Sequence, residues 1–146
     1  MTKILALCWW TSASSWKTTS MNTGWCLLGC SIGDIGTILY FQSSGIEWPV
    51  ILIMGLAIVN GLLTSILLET FILMRSLAFF AALKAAAGMS LISMIAMEIA
   101  MNLTDFMVTG GATITWEVLP FILLAGFVTP LPYNYWRLRQ LGIACH

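Results

Sequence analysis

The sequence predicts an all-α polytopic membrane protein, a bundle of four transmembrane helices with both termini on the cytoplasmic side. Three observations predict it: an apolar composition, four apolar segments of membrane-spanning length, and basic residues confined to one side of those segments. Of the 146 residues, 60% are hydrophobic and only 8% are charged, against roughly 25% charged in an average soluble domain. Mean hydropathy is +0.95. A soluble fold of this size could not bury so much apolar surface, so the lipid bilayer is the first expected partner.

A single membrane domain over residues 1–146 is expected, because no Pro/Gly/Ser-rich linker, charge block or low-complexity tract divides the chain. The formal net charge is zero. Lysine and arginine form no cluster, which excludes a nucleic-acid-binding face and argues against recognition of lipid headgroups by a polybasic segment.

The first span is predicted over about residues 21–41, close to the ~20 residues that cross a hydrocarbon core ~30 Å thick. Residues 1–20 combine a short apolar run with a hydroxyl-rich stretch, and we expect a short interfacial segment there. The second span, about residues 48–73, is the clearest, since Asn60, Glu69 and three hydroxyl residues are the main interruptions of its apolar run.

The third apolar stretch predicts a surface helix around Lys84 that leads into a span over about residues 85–108, and Gly110-Gly111 is expected to end it. The fourth span is predicted over about residues 116–136. It contains three prolines, which we expect to kink or unwind its second half. These are Pro120, Pro130 and Pro132.

The basic residues support four spans independently of hydropathy. All six lie before the first span, between the second and third, or after the fourth: Lys3, Lys17, Arg75, Lys84, Arg137 and Arg139. The positive-inside rule then places both termini in the cytoplasm. Three or five spans would scatter this pattern.

Polar side chains on three different spans are predicted to share one depth. At ~1.5 Å per residue, Asp34 lies ~18 Å above the inner end of its span, and Glu98 and Asn60 lie ~20 Å above theirs. A carboxylate at mid-membrane costs ~2.5 to 3.5 kcal/mol on the insertion scale, so the bundle interior is the natural place for both acids. We therefore expect the three side chains to meet or nearly meet.

Helical spacing extends this layer into two stripes of polar and sulfur-bearing side chains. The stripe on the first span comprises Cys26, Cys30 and Asp34. That on the third span comprises Ser90, Met94, Glu98 and Asn102, flanked by Met97, Met101 and Asp105. Cβ atoms four residues apart in a helix are ~5 to 6 Å from each other, farther than the ~3.8 Å of a disulfide, so Cys26 and Cys30 are interpreted as thiols.

Three interpretations of these stripes stay open. Methionine, cysteine and acid–amide pairs are often simple packing and interhelical hydrogen bonding. Alternatively, Cys26, Cys30 and Met94 are candidate ligands for copper, since thiolate and thioether select Cu(I). A third interpretation is a proton or ion path through Asp34 and Glu98. With one histidine in the chain, and no phosphate-binding glycine loop, no soluble catalytic constellation can be assembled.

Several strings of the sequence resemble an integral membrane family, the domain of unknown function numbered 4396. They are Ser12-Ala13-Ser14-Ser15-Trp16, Thr23-Gly24-Trp25-Cys26-Leu27-Leu28-Gly29-Cys30-Ser31-Ile32-Gly33-Asp34, Met97-Glu98-Ile99-Ala100-Met101-Asn102 and Pro132-Tyr133-Asn134. In that family the first-span motif reads His-Cys, two residues, Gly-Cys, two residues, Gly-Glu, and the third-span motif reads Met-Glu-Ile followed closely by Asp-Asn.

This chain departs from the family pattern at three positions. Trp25 stands in place of the histidine, Asp34 in place of glutamate and Met101 in place of aspartate. The resemblance implies a site formed by Cys26, Cys30, Asp34, Glu98 and Asn102, and it implies no activity. Loss of the histidine weakens a transition-metal role in this chain.

Two classes of function follow from the sequence. The first is a non-catalytic accessory subunit of a larger membrane complex or a homo-oligomer, which the small size and slight extramembrane mass favour. The second is a separate metal or ion handler that uses the cluster at mid-membrane.

Overall fold

The structure, a computed structural model, describes Trp10 and residues 12–141. This part of the chain contains five helices: α1 (Ala13–Ser44), α2 (Val50–Leu73), α3 (Phe79–Thr109), α4 (Leu119–Val128) and α5 (Leu131–Leu141). No strand occurs in the described ranges, and the all-α prediction is confirmed for them. Three segments are long and apolar enough to cross a membrane, namely α1, α2 and Ser90–Thr109 of α3.

Helix α1 begins earlier than predicted. Its residues 13–20 continue directly into the predicted span, so this part of the expected interfacial segment is not a separate element; residues 1–9 and 11 lie outside the described part. The hydroxyl residues there are tolerated inside the helix because their side chains bond locally, as Thr18 does to the Ser14 carbonyl at 3.1 Å. The helix ends at Gly45, whose positive φ of 64° makes the left-handed cap.

Helix α3 is likewise one continuous element through Lys84, where a surface helix and a span were predicted separately. Gly88 is the one glycine within α3, which contains no proline. A single glycine costs a helix only ~1 kcal/mol, so the helix continues through it. The predicted end is confirmed, since Gly110 has a φ of 75° and its amide caps the Phe106 carbonyl.

The predicted fourth span is divided into α4 and α5. Both helices carry a proline in their first turn, Pro120 in α4 and Pro132 in α5. Proline is favoured there because the N–H that it lacks would have no hydrogen-bond partner within the helix. Pro130 falls between the two helices and interrupts the ladder at that point. The backbone N–H of Asn134 still donates a 2.9 Å hydrogen bond to the Pro130 carbonyl, so α5 begins directly after the interruption.

The tightest helix contact lies between α1 and α2, where glycine lets the backbones approach closely. Thr64 of α2 donates a 2.7 Å hydrogen bond to the Gly29 carbonyl of α1. Helix α5 packs at the start of α1, where Tyr135 stacks on Trp16 with ring centroids 4.3 Å apart. Large apolar side chains cover the outside, for example Ile51, Phe80 and Met107. An apolar exterior around a polar interior is consistent with a membrane protein.

Candidate functional site

The two stripes predicted from the sequence both face the interior of the bundle. Every member is almost fully buried: Cys26, Cys30 and Asp34 on α1, and Met94, Glu98, Met101 and Asn102 on α3. The 3.6-residue period explains this, because positions four apart lie on one helix face. The structure therefore brings α1 and α3 together along these side chains.

Asp34 and Asn102 form the direct link between the two stripes. The Asn102 amide donates a 2.8 Å hydrogen bond to Asp34 Oδ1 and a second, of 3.1 Å, to the Glu98 carbonyl of its own helix. The second bond fixes the amide so that it points at the carboxyl. An ionised acceptor makes such a bond stronger than one between neutral groups.

Glu98 lies one helical turn from Asn102 and is 0% exposed. A Cβ at Gly61 of α2 would overlap its carboxyl group, so the carboxyl lies directly against the α2 backbone. Neither carboxyl oxygen has a hydrogen bond of good geometry with the residues that the structure describes. The carboxyl interacts electrostatically with the Asp34 carboxyl and the Cys30 thiol.

The two thiols continue this arrangement from Glu98 toward the inner end predicted for the bundle. Cys26 and Cys30 are free, as predicted, and the Cys30 thiol faces both Cys26 and the Ser65 hydroxyl. Cys26 Sγ lies 3.6 Å from Ser65 Oγ, and that hydroxyl also lies 3.2 Å from the Cys26 carbonyl. Thiols and hydroxyls both donate and accept hydrogen bonds.

Glu69 of α2 extends the cluster further and was not among the residues predicted from the sequence. It is 1% exposed, and its carboxyl faces Ser90 of α3, the Cys26 thiol and, at longer range, the Arg137 guanidinium of α5. The sequence held a signal for it: Gly61, Ser65 and Glu69 are spaced four apart and share one face of α2. Arg137 was assigned to the cytoplasmic flank, yet it is buried.

Asp105 closes the opposite end of the same cluster. It is buried, and its carboxyl accepts hydrogen bonds from the Thr109 hydroxyl and the Thr113 amide, both at 3.2 Å. These bonds hold the connection between α3 and α4 over the bundle. Its carboxyl also interacts electrostatically with Asp34.

We call this buried set the polar file. Its members are Asp105, Asn102, Asp34, Glu98, Cys30, Cys26, Ser65, Glu69 and Ser90. On α3 the file runs from Asp105 to Ser90, ~22 Å along the helix axis. This is a large share of a ~30 Å hydrocarbon core.

Asn60 and Met101 lie apart from the file. Asn60 was expected to meet Asp34 and Glu98, but its amide donates a 2.8 Å hydrogen bond to the Thr37 hydroxyl, on the outer part of the α1–α2 contact. The side chain of Met101 packs on Gly126 of α4. Trp25 is 47% exposed, so its position faces away from the file.

The sequence profile of the domain of unknown function DUF4396 matches residues 15–142. The chain belongs to the DUF4396 family. No curated protein and no solved structure matches the chain. The match covers all five helices except the first residues of α1, so the polar file of this DUF4396 domain lies entirely within it.

The copper candidates of this DUF4396 domain are Cys26, Cys30 and Met94, all buried in one apolar cluster. Among the described residues, no group of three or more His, Cys, Asp or Glu side chains is close enough to hold a metal ion. Apart from the Asn102 amide, the polar file consists of carboxyl, thiol and hydroxyl groups, which can accept and release protons.

Proposed function

We propose that this DUF4396 protein is an integral membrane protein with four spans and both termini in the cytoplasm. The lengths of α1, α2 and α3 support three crossings. Helices α4 and α5 together cover residues 119–141, ~34 Å if helical throughout, which suffices for a fourth crossing interrupted at Pro130. With four spans, every basic residue falls on the same side of the membrane, in agreement with the positive-inside rule.

We further propose that its interior carries protons across the membrane along the polar file. The observation that carries this proposal is Glu98, a completely buried carboxyl whose oxygens make no hydrogen bond of good geometry with the described residues and which interacts with the Asp34 carboxyl and the Cys30 thiol. Acids inside membrane spans are costly, and where they occur they commonly mark proton or ion pathways.

The distribution of positive charge also favours this function. Of the basic residues that the structure describes, four are exposed, namely Lys17, Arg75, Lys84 and Arg139, and Arg137 lies by Glu69. No basic side chain in the described ranges is therefore positioned to compensate Asp34 or Glu98. Carboxyl groups buried in this way exchange protons or bind cations, because an uncompensated buried charge is expensive.

The transfer itself is a sequence of balanced proton exchanges. A proton leaves the Glu98 carboxyl for the Cys30 sulfur as the thiol proton of Cys30 passes to Cys26, whose own proton passes to the Glu69 carboxylate. Each thiol gives up one S–H bond and forms another, so both end unchanged. No electron moves, and the net result is one proton moved from Glu98 to Glu69.

Proton flux into proteoliposomes tests this function. A pH-sensitive dye inside the vesicles reports acidification after an outside acid jump. We expect flux with the wild-type protein, and a loss of at least ~10-fold with Glu98→Gln, since removing one proton-transfer group commonly costs 10²- to 10⁴-fold. Glu117→Gln makes the same chemical change at an exposed site and should retain wild-type flux.

Two results would contradict the proposal. The first is a wild-type flux no greater than that of protein-free vesicles. The second is equal flux in Glu98→Gln and Glu117→Gln, which would show that protons bypass the file.

An accessory role in a larger membrane complex, or in a homo-oligomer, is a second candidate. The connections between the helices favour it, because they are confined to residues 45–49, 74–78, 110–118 and 129–130 and form no extramembrane domain in the described part of the chain. Affinity purification from native membranes tests it. Recovery of one stoichiometric partner would support this role, and recovery of the chain alone as a monomer would contradict it.

Copper handling through Cys26, Cys30 and Met94 stays a prediction from the sequence. Metal analysis of purified protein, repeated on a variant with both cysteines changed to serine, decides it. Stoichiometric copper that disappears in the variant would support it, and its absence from both samples would exclude it.

A further inference from the structure

Arg137 and Glu69 are both buried at one end of the polar file. Glu69 is 1% exposed and Arg137 is 5% exposed, and the guanidinium lies within electrostatic range of the carboxyl. Charged side chains are almost never so buried unless they are paired. Arg137 is also the one basic side chain buried in the described part of the chain.

Helix α5 is held against α1 through contacts made by two residues that come shortly before Arg137 in the sequence. The side-chain amide of Asn134 donates a 2.9 Å hydrogen bond to the Thr23 hydroxyl of α1. Tyr135 is completely buried and stacks on Trp16. One helical turn carries Asn134 and Arg137 to neighbouring positions on the same face. These contacts hold this part of α5 beside α1, and the Arg137 side chain is buried there.

We propose that Arg137 is the specificity-determining residue of the polar file, which lets protons reach Glu69 and keeps metal cations such as Na⁺ and K⁺ out. This inference rests on the proposed proton transfer. It concerns a residue outside the file and a property, ion selectivity, that Glu98 alone does not provide.

The positive charge of Arg137 affects the passage of protons and of metal cations differently. A proton reaches Glu69 by exchange along hydrogen bonds from Cys26, so no ion has to pass the guanidinium as a body. Na⁺ or K⁺ would have to lose its hydration shell and pass within a few ångströms of a fixed positive charge. Whenever Glu69 holds a proton, its negative charge no longer offsets that of Arg137, and the repulsion is then at its greatest.

Paired flux measurements in proteoliposomes test the inference, with a pH-sensitive dye for H⁺ and radioactive Na⁺ for the metal cation. Wild-type protein should carry H⁺ with no Na⁺ flux above that of protein-free vesicles. In Arg137→Gln the ratio of Na⁺ to H⁺ flux should rise at least ~10-fold, because the repulsion of a close charge is gone. Arg139→Gln, an identical change at an exposed position of α5, should keep the wild-type ratio.

Arg137→Gln leaves Glu69 unpaired and could fail to fold. In that case the double variant Glu69→Gln/Arg137→Gln, which removes both charges, replaces it; because Glu69 itself belongs to the polar file, the measurement is then the Na⁺ flux alone, which should rise above that of protein-free vesicles. Arg137→Lys keeps the positive charge and should keep Na⁺ out.

The outcomes separate this inference from the function on which it rests. Absence of proton flux in the wild type overturns both. Proton flux accompanied by Na⁺ flux in the wild type, or a Na⁺ flux in the neutral variants no greater than that of protein-free vesicles, overturns the role of Arg137 and leaves proton transfer standing.

Discussion

Asn102 of α3 donates a 2.8 Å hydrogen bond to the carboxyl of Asp34 on α1, 68 residues earlier in the chain. The bond joins two helices that are not consecutive, and both side chains are buried. It therefore fixes how α1 and α3 are rotated about their axes. The same rotation turns Cys30 and Glu98 toward each other.

Coupling between Asn102 and Asp34 should be measurable in a double-mutant cycle that changes each residue to alanine. We expect a coupling free energy of about 1 to 2 kcal/mol, above the ~0.6 kcal/mol average for hydrogen bonds inside membrane proteins, because a carboxyl group accepts this bond. Unfolding in mixed detergent micelles provides the measurement. The Asn60–Thr37 pair, between neutral groups, serves as the comparison and should give the lower value. Equal values would contradict a special role for the acid–amide pair.

Gly61→Ala should destabilise the protein by about 1 to 3 kcal/mol, the usual cost of overpacking. The added methyl group would occupy the space of the Glu98 carboxyl, so proton flux should fall as well. Gly55→Ala provides the control in the same helix, since nothing lies within 4 Å of a Cβ there. That variant should be as stable as wild type or more so by up to ~1 kcal/mol. Equal stability of the two variants would show that Glu98 does not lie against Gly61.

Gly33→Ala should weaken the contact between α1 and α2. Its methyl group would meet the Asn60 backbone and the Thr64 hydroxyl, and a backbone cannot rotate away as a side chain can. We expect a loss of at least ~2 kcal/mol in the same unfolding assay. Gly36→Ala, three residues on, meets nothing within 4 Å and should be close to neutral. A reversed order of the two variants would contradict the observed register of α1 and α2.

Removing one member of the Glu69–Arg137 pair should cost more than removing both. A single substitution, Glu69→Gln or Arg137→Gln, leaves one buried charge uncompensated and should cost about 3 to 5 kcal/mol. The double variant should recover at least half of that loss, because no unpaired charge remains. Stabilities that simply add in the double variant would show that the two groups do not interact.

Periodicity was sufficient to predict which faces of α1 and α3 are buried. Acids are too costly to face lipid, so Asp34 and Glu98 determine the inward direction, and the residues four apart follow it. The second span needed no correction beyond its first two residues, since Val50–Leu73 lies inside residues 48–73. Gly110 ended α3 as predicted because its positive φ suits glycine.

Other features depend on contacts between distant residues and could not be predicted from local pattern. The pattern of the second span could not identify the groups that face Glu69, because Ser90 and Arg137 lie on other helices. Arg137 lies beyond an apolar segment, where basic residues usually face water, and only the packing of α5 on α1 buries it. Asn60 was assigned by depth alone, and its direction around the α2 axis turns it toward Thr37 instead of the acids.

The reversal potential of current through a planar bilayer that contains the purified protein tests the central claim most directly. With a pH gradient across the bilayer and equal salt on both sides, proton transfer along the polar file predicts a current that reverses at the proton equilibrium potential. The same current should be lost in Glu98→Gln and kept in Glu117→Gln. Absence of current, or a reversal potential that follows the salt instead of the pH gradient, would contradict proton transfer through this interior.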